Sequence, residues 1–170
     1  MGLLDRFFGS ADPTRDWPVA SGQSPQVSHD RRALESIGVA LPFGADLDAA
    51  RVLGRPDHFK KDAEGVYTLT YARWGLLLEY EASRFVQVSY VIDPESAGES
   101  VSVEPADARG PDGMRLSPTT TQDEIVSRFG TPGRVQTFDE DTILYFTHGP
   151  LASEFHLESG RLVRWEVYLD

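Results

Sequence analysis

Cysteine is absent from this 170-residue chain. Its absence excludes a disulfide framework, a thiolate metal site and a cysteine nucleophile. No stretch approaches the roughly 18 to 20 apolar residues that a membrane-spanning helix needs, and residues 1–9 are too short and too charged for a secretory leader. These absences predict a cytoplasmic protein without stable membrane insertion.

Positive charge is also scarce. The chain has 16 Lys and Arg against 27 Asp and Glu, which gives a formal net charge of −11. Such a surface repels phosphate backbones, so the composition argues against nucleic acid as a partner. It leaves basic proteins, cations and small molecules.

Catalytic motifs are missing as well. The sequence contains no G-x-S-x-G, no Walker loop and no G-x-G-x-x-G. Its histidines do not follow the H-x-x-x-H or H-x-H spacings of metal sites. The sequence therefore predicts a protein that is not an enzyme, with no catalytic residue, no metal ligand and no cofactor.

The sequence contains a short Gly-x-Pro motif that occurs twice, as Gly54-Arg55-Pro56 and as Gly130-Thr131-Pro132. Each copy follows a predicted helix, the first with Asp46 as its N-cap and the second with a capping box of Thr121 and Glu124. Glycine ends a helix and proline prevents its resumption. The Gly-x-Pro motif therefore marks matching positions in two halves of the chain.

Alternating or continuous apolar runs follow each copy of the Gly-x-Pro motif. They predict three strands in each half, over 66–71, 76–80 and 85–92 in the first and over 142–146, 151–157 and 162–169 in the second. Because cap, turn glycine and strand order recur together, we interpret the chain as a tandem repeat.

The predicted organisation has four parts. Residues 1–40 contain an amphipathic segment with Leu3, Leu4, Phe7 and Phe8, then a linker, then a short helix over 31–37. Residues 41–93 form the first repeat, 94–115 the connection and 116–170 the second repeat. Whether the amphipathic segment docks on the body, a partner or a membrane surface stays open, as does the oligomeric state.

A helix, Gly-x-Pro and an antiparallel meander ending in an aromatic-rich strand resemble the repeat of the β-lactamase inhibitor proteins. A single unit is similar to the small outer-membrane lipoproteins of the SmpA/OmlA type. The resemblance covers roughly residues 41–170. It implies an α+β fold, in which two repeats form one curved antiparallel sheet with helices on one face, and in which the open face grips a partner protein.

The period of two along a strand separates the two faces of that sheet. The residues expected to face the helices are Val86, Val88, Tyr90, Ile92, Val163, Trp165, Val167 and Leu169. The residues expected to contact a partner are Glu79, Gln87, Glu154, His156, Arg164, Glu166 and Tyr168 on the open face, and Trp74 and His148 in matching loops. Tyr, Trp and Arg are enriched in interface hot spots, although a merely solvated sheet face has the same pattern.

The function predicted from these residues is a non-enzymatic protein-interaction module of the inhibitor or immunity type, with a protein partner of unknown identity. The alternative is a module that binds a small molecule or a cation in the groove between the repeats.

Overall fold

The computed structural model describes residues 12–96, 102–110 and 112–170. Strands make up 45% of the described residues and helices 12%. The predicted α+β class is therefore wrong, and the protein is mostly β. The predicted amphipathic segment over residues 1–9 lies outside the described residues.

Two antiparallel sheets contain the described strands. The small sheet consists of β1 (Gln26–Ser28), β2 (Ala33–Ser36) and β3 (Val39–Pro42). The large sheet consists of β4 (His58–Lys61), β5 (Tyr67–Tyr71), β6 (Leu76–Glu81), β7 (Arg84–Val91), β8 (Arg134–Phe138), β9 (Asp141–His148), β10 (Leu151–Glu158) and β11 (Arg161–Leu169). Two 3-10 helices (Leu47–Leu53 and Ala72–Trp74) and one α-helix, α1 (Gln122–Phe129), complete the described elements.

The large sheet has the strand order β4-β5-β6-β7-β11-β10-β9-β8. Two four-stranded meanders thus meet at the β7–β11 ladder, which pairs Gln87–Val91 with Arg164–Tyr168. The prediction of three strands in each meander was wrong, because it missed β4 and β8. Both are edge strands with mostly exposed side chains, so they lack the apolar alternation that identifies a half-buried strand.

The two predicted helix starts differ in the structure. The capping box of α1 is confirmed: the Glu124 amide donates to Thr121 Oγ1 over 3.3 Å, and the Thr121 amide donates to Glu124 Oε2 over 2.8 Å. Leu47–Leu53 instead forms a 3-10 helix, in which Asp46 makes no capping hydrogen bond within the described chain. Asp46 pairs with Arg84 over 3.1 Å.

The predicted short helix over 31–37 is wrong. This stretch forms the β2–β3 hairpin, in which Leu34 lies opposite Leu41 and both are fully buried. Gly38, with φ of 74°, makes the turn, and Ile37 is 83% exposed beside it. Glycine stops a helix and turns a hairpin equally well, so the cross-strand leucine pair decides between them. The predicted boundary at residue 40 consequently falls inside β3.

One hydrophobic core joins the large sheet to everything that covers it. Its cover consists of the small sheet, the 3-10 helix Leu47–Leu53 and α1, which contribute Val27, Leu34, Leu41, Ala50, Leu53, Ile125 and Phe129. The layer over the sheet is therefore built from strands, short helices and loops rather than from two long helices. This is the physical reason why the α+β expectation fails.

Bulges adjust which residues face the core. The β6–β7 register shifts between Glu79 and Tyr80, so Phe85 takes the core position expected for Val86. The β10–β11 register shifts between His156 and Leu157, and there the core residue is Leu162 instead of Val163. Leu169, also expected inside, is 39% exposed. The remaining inward predictions, Val88, Tyr90, Ile92, Trp165 and Val167, are confirmed as buried.

Candidate functional site

The open face of the large sheet brings together seven of the nine residues that the sequence predicts as partner contacts. The strand register places Glu154 opposite Glu166, Tyr168 opposite Gln87, Gln87 opposite Glu79 and His156 opposite Arg164. These residues lie on β6, β7, β11 and β10, the four central strands. All seven are half-buried.

Trp74 is not a loop contact. It ends the short 3-10 helix Ala72–Trp74 and is only 6% exposed. Its ring stacks on Tyr71 with centroids 5.2 Å apart, and the Arg73 guanidinium lies 4.5 Å from the ring centre. The prediction that Trp74 is exposed in a loop is wrong, because the residue packs into the core.

His148 does not join the open face either. It ends β9 and alternates with the buried residues Leu144 and Phe146, so its ring lies on the core side. The ring centroid is 5.5 Å from that of His29 and 6.0 Å from that of Phe129. Burial and the neighbouring His148 lower the pKa of His29. This pair belongs to the contact between the large sheet and its cover.

At the centre of the open face lies a group that we call the central triad: Glu154, His156 and Glu166. His156 Nε2 is 3.4 Å from Glu154 Oε2 and 3.7 Å from Glu166 Oε2. The nitrogen is buried and makes no well-aligned hydrogen bond to any described residue. One ligand atom from each of the three residues lies within 4.8 Å of the others.

Neighbouring side chains hold the other oxygen of each triad carboxylate. The Tyr168 hydroxyl donates to Glu154 Oε1 over 2.6 Å. The Ser89 hydroxyl donates to Glu166 Oε1 over 3.3 Å, and Arg164 lies 3.4 Å from the same oxygen. Each carboxylate is therefore oriented through Oε1, while Oε2 points towards the imidazole.

The charges of the triad are coupled. Burial lowers the pKa of His156, but its interactions with Glu154 and Glu166 outweigh burial and raise that pKa to about 9. Burial acts to raise the pKa of Glu166, yet His156, followed by Arg164, holds it below its usual range. The imidazole of the triad is consequently a cation at neutral pH unless another cation replaces its proton.

Glu79 has the opposite balance. Burial and then the nearby charge of Glu166 raise the pKa of its carboxyl group. Glu79 lies next to Gln87 on β7, which in turn donates to the Ser89 hydroxyl over 3.2 Å. A positive charge placed beside Glu79 would therefore favour its ionised form.

Ser89, which the alternation along β7 also places on the open face, is 3% exposed beneath the triad. Three further residues of this surface, Tyr145, Gln136 and Arg134, were missed by sequence reasoning. Tyr145 lies directly opposite Glu154, donates its hydroxyl to Gln136 and packs under Arg134, whose guanidinium is 5.2 Å from the ring centre. The strand register identifies these neighbours, and the E-x-H spacing of Glu154 and His156 is the one local signal for the triad.

The groove that the sequence alternative requires has a counterpart near the junction of the two meanders. A cleft of about 500 Å³ lies where β7 runs into the connection, and it is lined by Ile92, Asp93, Pro94, Pro105 and Pro118 among others. Asp93 is held there by Arg161, whose Nη2 lies 2.9 Å from Asp93 Oδ2. Binding of a small molecule in this cleft stays a prediction.

Among the helices of residues 12–96, 102–110 and 112–170, none combines the length and the apolar content that crossing a membrane requires.

The chain matches no protein-family model, and no curated protein matches it. Among solved structures it is similar to YjgB, a DUF4309 family protein from Bacillus subtilis, with a TM-score of 0.51 and 8% identity over 86% of this chain and 88% of that one. It is also similar to a cysteine-rich secretory protein from Staphylococcus aureus, with a TM-score of 0.46 and 13% identity over 91% of this chain and 50% of that one. At this identity, the similarity to YjgB shows the fold alone.

Proposed function

We propose that this chain is a non-enzymatic protein-interaction module that binds its partner through the open face of the large sheet, as an inhibitor or immunity protein does. The observation that carries the proposal is the convergence of Glu79, Glu154, Glu166, Arg164 and Tyr168 at the centre of that face. A merely solvated face would carry independent, exposed side chains, whereas these five are half-buried, Tyr168 is hydrogen-bonded to Glu154, and Arg164 is paired with Glu166.

The chemistry of this surface selects a basic partner group. Glu154 and Glu166 have side chains that are 19% and 13% exposed, so a cation that reaches them interacts through a medium of lower dielectric constant than water. An arginine fork matches carboxylate geometry. The rings of Tyr145 on β9 and Tyr168 on β11, the two strands that flank β10, supply the aromatic surface that is enriched at binding hot spots.

The resemblance of residues 41–170 to the β-lactamase inhibitor proteins supports binding through an open sheet face, and it stays a part of this proposal. A cytoplasmic location belongs to the same proposal, and fractionation of cells that express the full chain tests it.

The experiment compares capture of partners by the immobilised full chain and by variants, from a native lysate, with quantitative mass spectrometry. The double variant Glu79→Gln/Tyr168→Ala changes the open face, and Glu64→Gln, in the exposed β4–β5 turn, is the matched charge control. A specific partner should be retained by wild type and by the control and be lost from the double variant.

Circular dichroism and urea unfolding establish that each variant is folded before the capture is compared. A partner that the folded double variant captures as well as wild type does would contradict binding through this face.

A further inference from the structure

We propose that the central triad, Glu154, His156 and Glu166, is a binding site for a divalent first-row transition-metal cation of the zinc type.

The distances from His156 Nε2 to the two carboxylates are longer than those of charge-assisted hydrogen bonds. A charge-assisted hydrogen bond between an imidazolium and a carboxylate is ordinarily about 2.7–2.9 Å long. The two separations at His156 Nε2, 3.4 Å to Glu154 Oε2 and 3.7 Å to Glu166 Oε2, are longer. Ligand atoms that surround a metal tetrahedrally at about 2.1 Å lie about 3.4 Å apart. The two nitrogen–oxygen distances therefore match the spacing of ligands around one ion better than that of charge-assisted hydrogen bonds, and all three candidate ligand atoms lie within 4.8 Å of one another.

The backbone places the three candidate ligands on one face of the sheet. Glu154 and His156 are two residues apart on β10, so both project from the same face. Glu166 lies directly opposite Glu154 on β11, where side chains of paired strands meet. All three ligands thus come from two central strands of an eight-stranded sheet, which is a rigid support for a site.

Side chains around the candidate ligands orient their carboxylates. Tyr168 and Ser89 donate to the Oε1 atoms of Glu154 and Glu166, which leaves the Oε2 atoms facing the imidazole. Groups that orient ligand carboxylates in this way are the usual surroundings of protein metal sites. The single imidazole nitrogen and two carboxylates favour zinc-type ions over Ca²⁺, which takes six to eight oxygens.

Charge supports the same assignment. The two ligand carboxylates, Glu154 and Glu166, match the charge of a divalent cation once the imidazole has lost its proton. Three protein ligands also leave a coordination position open for water or for a group of a partner.

The test uses the full chain after chelator treatment and the metal alone, so its outcome is independent of any protein partner. Isothermal titration with Zn²⁺ should give one ion per chain, and Co²⁺ should produce the visible absorption of a four- or five-coordinate site. Glu166→Gln and His156→Gln should each weaken Zn²⁺ binding by about 100-fold or more, and Tyr168→Phe, which leaves all three ligands in place, by about 10-fold.

His58→Gln on the exposed edge strand β4 and Glu158→Gln at the end of β10 are the matched controls, and both should bind like wild type. The proposal is overturned if wild type binds neither ion at about 1 mM, or if folded Glu166→Gln binds as tightly as wild type, or if His58→Gln removes binding. Should Glu166→Gln fail to fold by circular dichroism, Tyr168→Phe decides: unchanged Zn²⁺ affinity in this variant overturns the proposal.

Discussion

Gly54 lies directly against the backbone of Ala20: a Cβ added to Gly54 would come within 2.4 Å of Ala20 Cα and 2.6 Å of its amide nitrogen. Gly130 is the matching residue of the second Gly-x-Pro motif. A Cβ added to Gly130 would have no described atom within 4 Å. The two glycines have nearly equal φ values, 89° and 86°. They therefore share a conformational requirement and differ in packing.

Alanine at these two positions separates the two effects. Both variants incur the backbone cost of a non-glycine residue in this region, roughly 1–3 kcal/mol, and Gly54→Ala additionally forces the backbone around Ala20 to move, at about 1–3 kcal/mol more. Urea unfolding of the two variants should show Gly54→Ala to be the less stable by that margin. Equal destabilisation would mean that the segment around Ala20 does not pack on Gly54.

A buried hydroxyl ties the large sheet to the segment before the small sheet. Tyr90 is fully buried, and its hydroxyl donates to the Pro25 carbonyl over 3.1 Å. Tyr90→Phe leaves that carbonyl without its donor, so the free energy of unfolding should fall by about 1–3 kcal/mol. The control Tyr67→Phe, at a half-buried residue of β5, should change it by about 0.5 kcal/mol or less. Equal effects would show that the hydroxyl of Tyr90 contributes nothing specific.

The two predicted helix caps should differ in energy. Thr121→Ala removes a reciprocal capping box and should cost about 1 kcal/mol. Asp46→Ala removes an exposed ion pair with Arg84 and should cost about 0.5 kcal/mol or less. Chemical denaturation of both variants checks the difference, and a larger loss in Asp46→Ala would contradict it.

His29 should make the fold sensitive to acid. Because burial and then His148 lower its pKa in the folded chain, the unfolded chain binds the proton more readily, starting near the ordinary value of about 6.5. Stability attributable to His29 is therefore present above that pH and is lost as the pH falls below it towards the depressed folded value.

The measurement is the free energy of unfolding at about pH 7.5 and about pH 5.5. His29→Phe keeps a ring beside Trp165, which lies 6.5 Å from the His29 centroid, but it cannot bind a proton, so its stability should fall less on acidification. The raised pKa of His156 acts in the opposite sense, since its contribution is fully present below about pH 6.5 and is lost as the pH rises through about 9. It is common to both proteins and cancels in the comparison, so identical pH dependence would refute the role of His29.

The features that the sequence predicts correctly are those set by local chemistry. The capping box of Thr121 and Glu124 depends on two residues three positions apart. The inward direction of Tyr90 and Trp165 depends on alternation along one strand. For the same reason, most of the predicted open-face residues do share a face.

The features that it misses depend on distant segments. Trp74 precedes Gly75 in a sequence typical of an exposed turn, but the chain near Glu104 and Ala106 passes over this glycine, and a Cβ there would lie 2.3 Å from the Glu104 carbonyl oxygen. At the matching Gly149 no described atom comes within 4 Å. Similar sequence motifs therefore have different surroundings in the fold, and the periodicity of the sequence does not reveal those surroundings.

The contacts of the candidate site were also beyond the sequence. Alternation places Glu154 and His156 on the open face, but the pairing of Glu154 with Glu166 depends on the bulge between His156 and Leu157, and the pairing of Glu166 with Ser89 depends on strand order. A register shift of one residue would turn these side chains to the other face. The triad was therefore visible only as separate polar residues.

The position of β11 has a consequence for how the molecule assembles. Although β11 is the last of the eight strands along the chain, it lies between β7 and β10. Until it inserts, β7 and β10 each present an unpaired edge, and such edges recruit other chains. Joining the halves therefore awaits residues 161–169, and intermediates that lack this strand should be the species most prone to aggregate during folding.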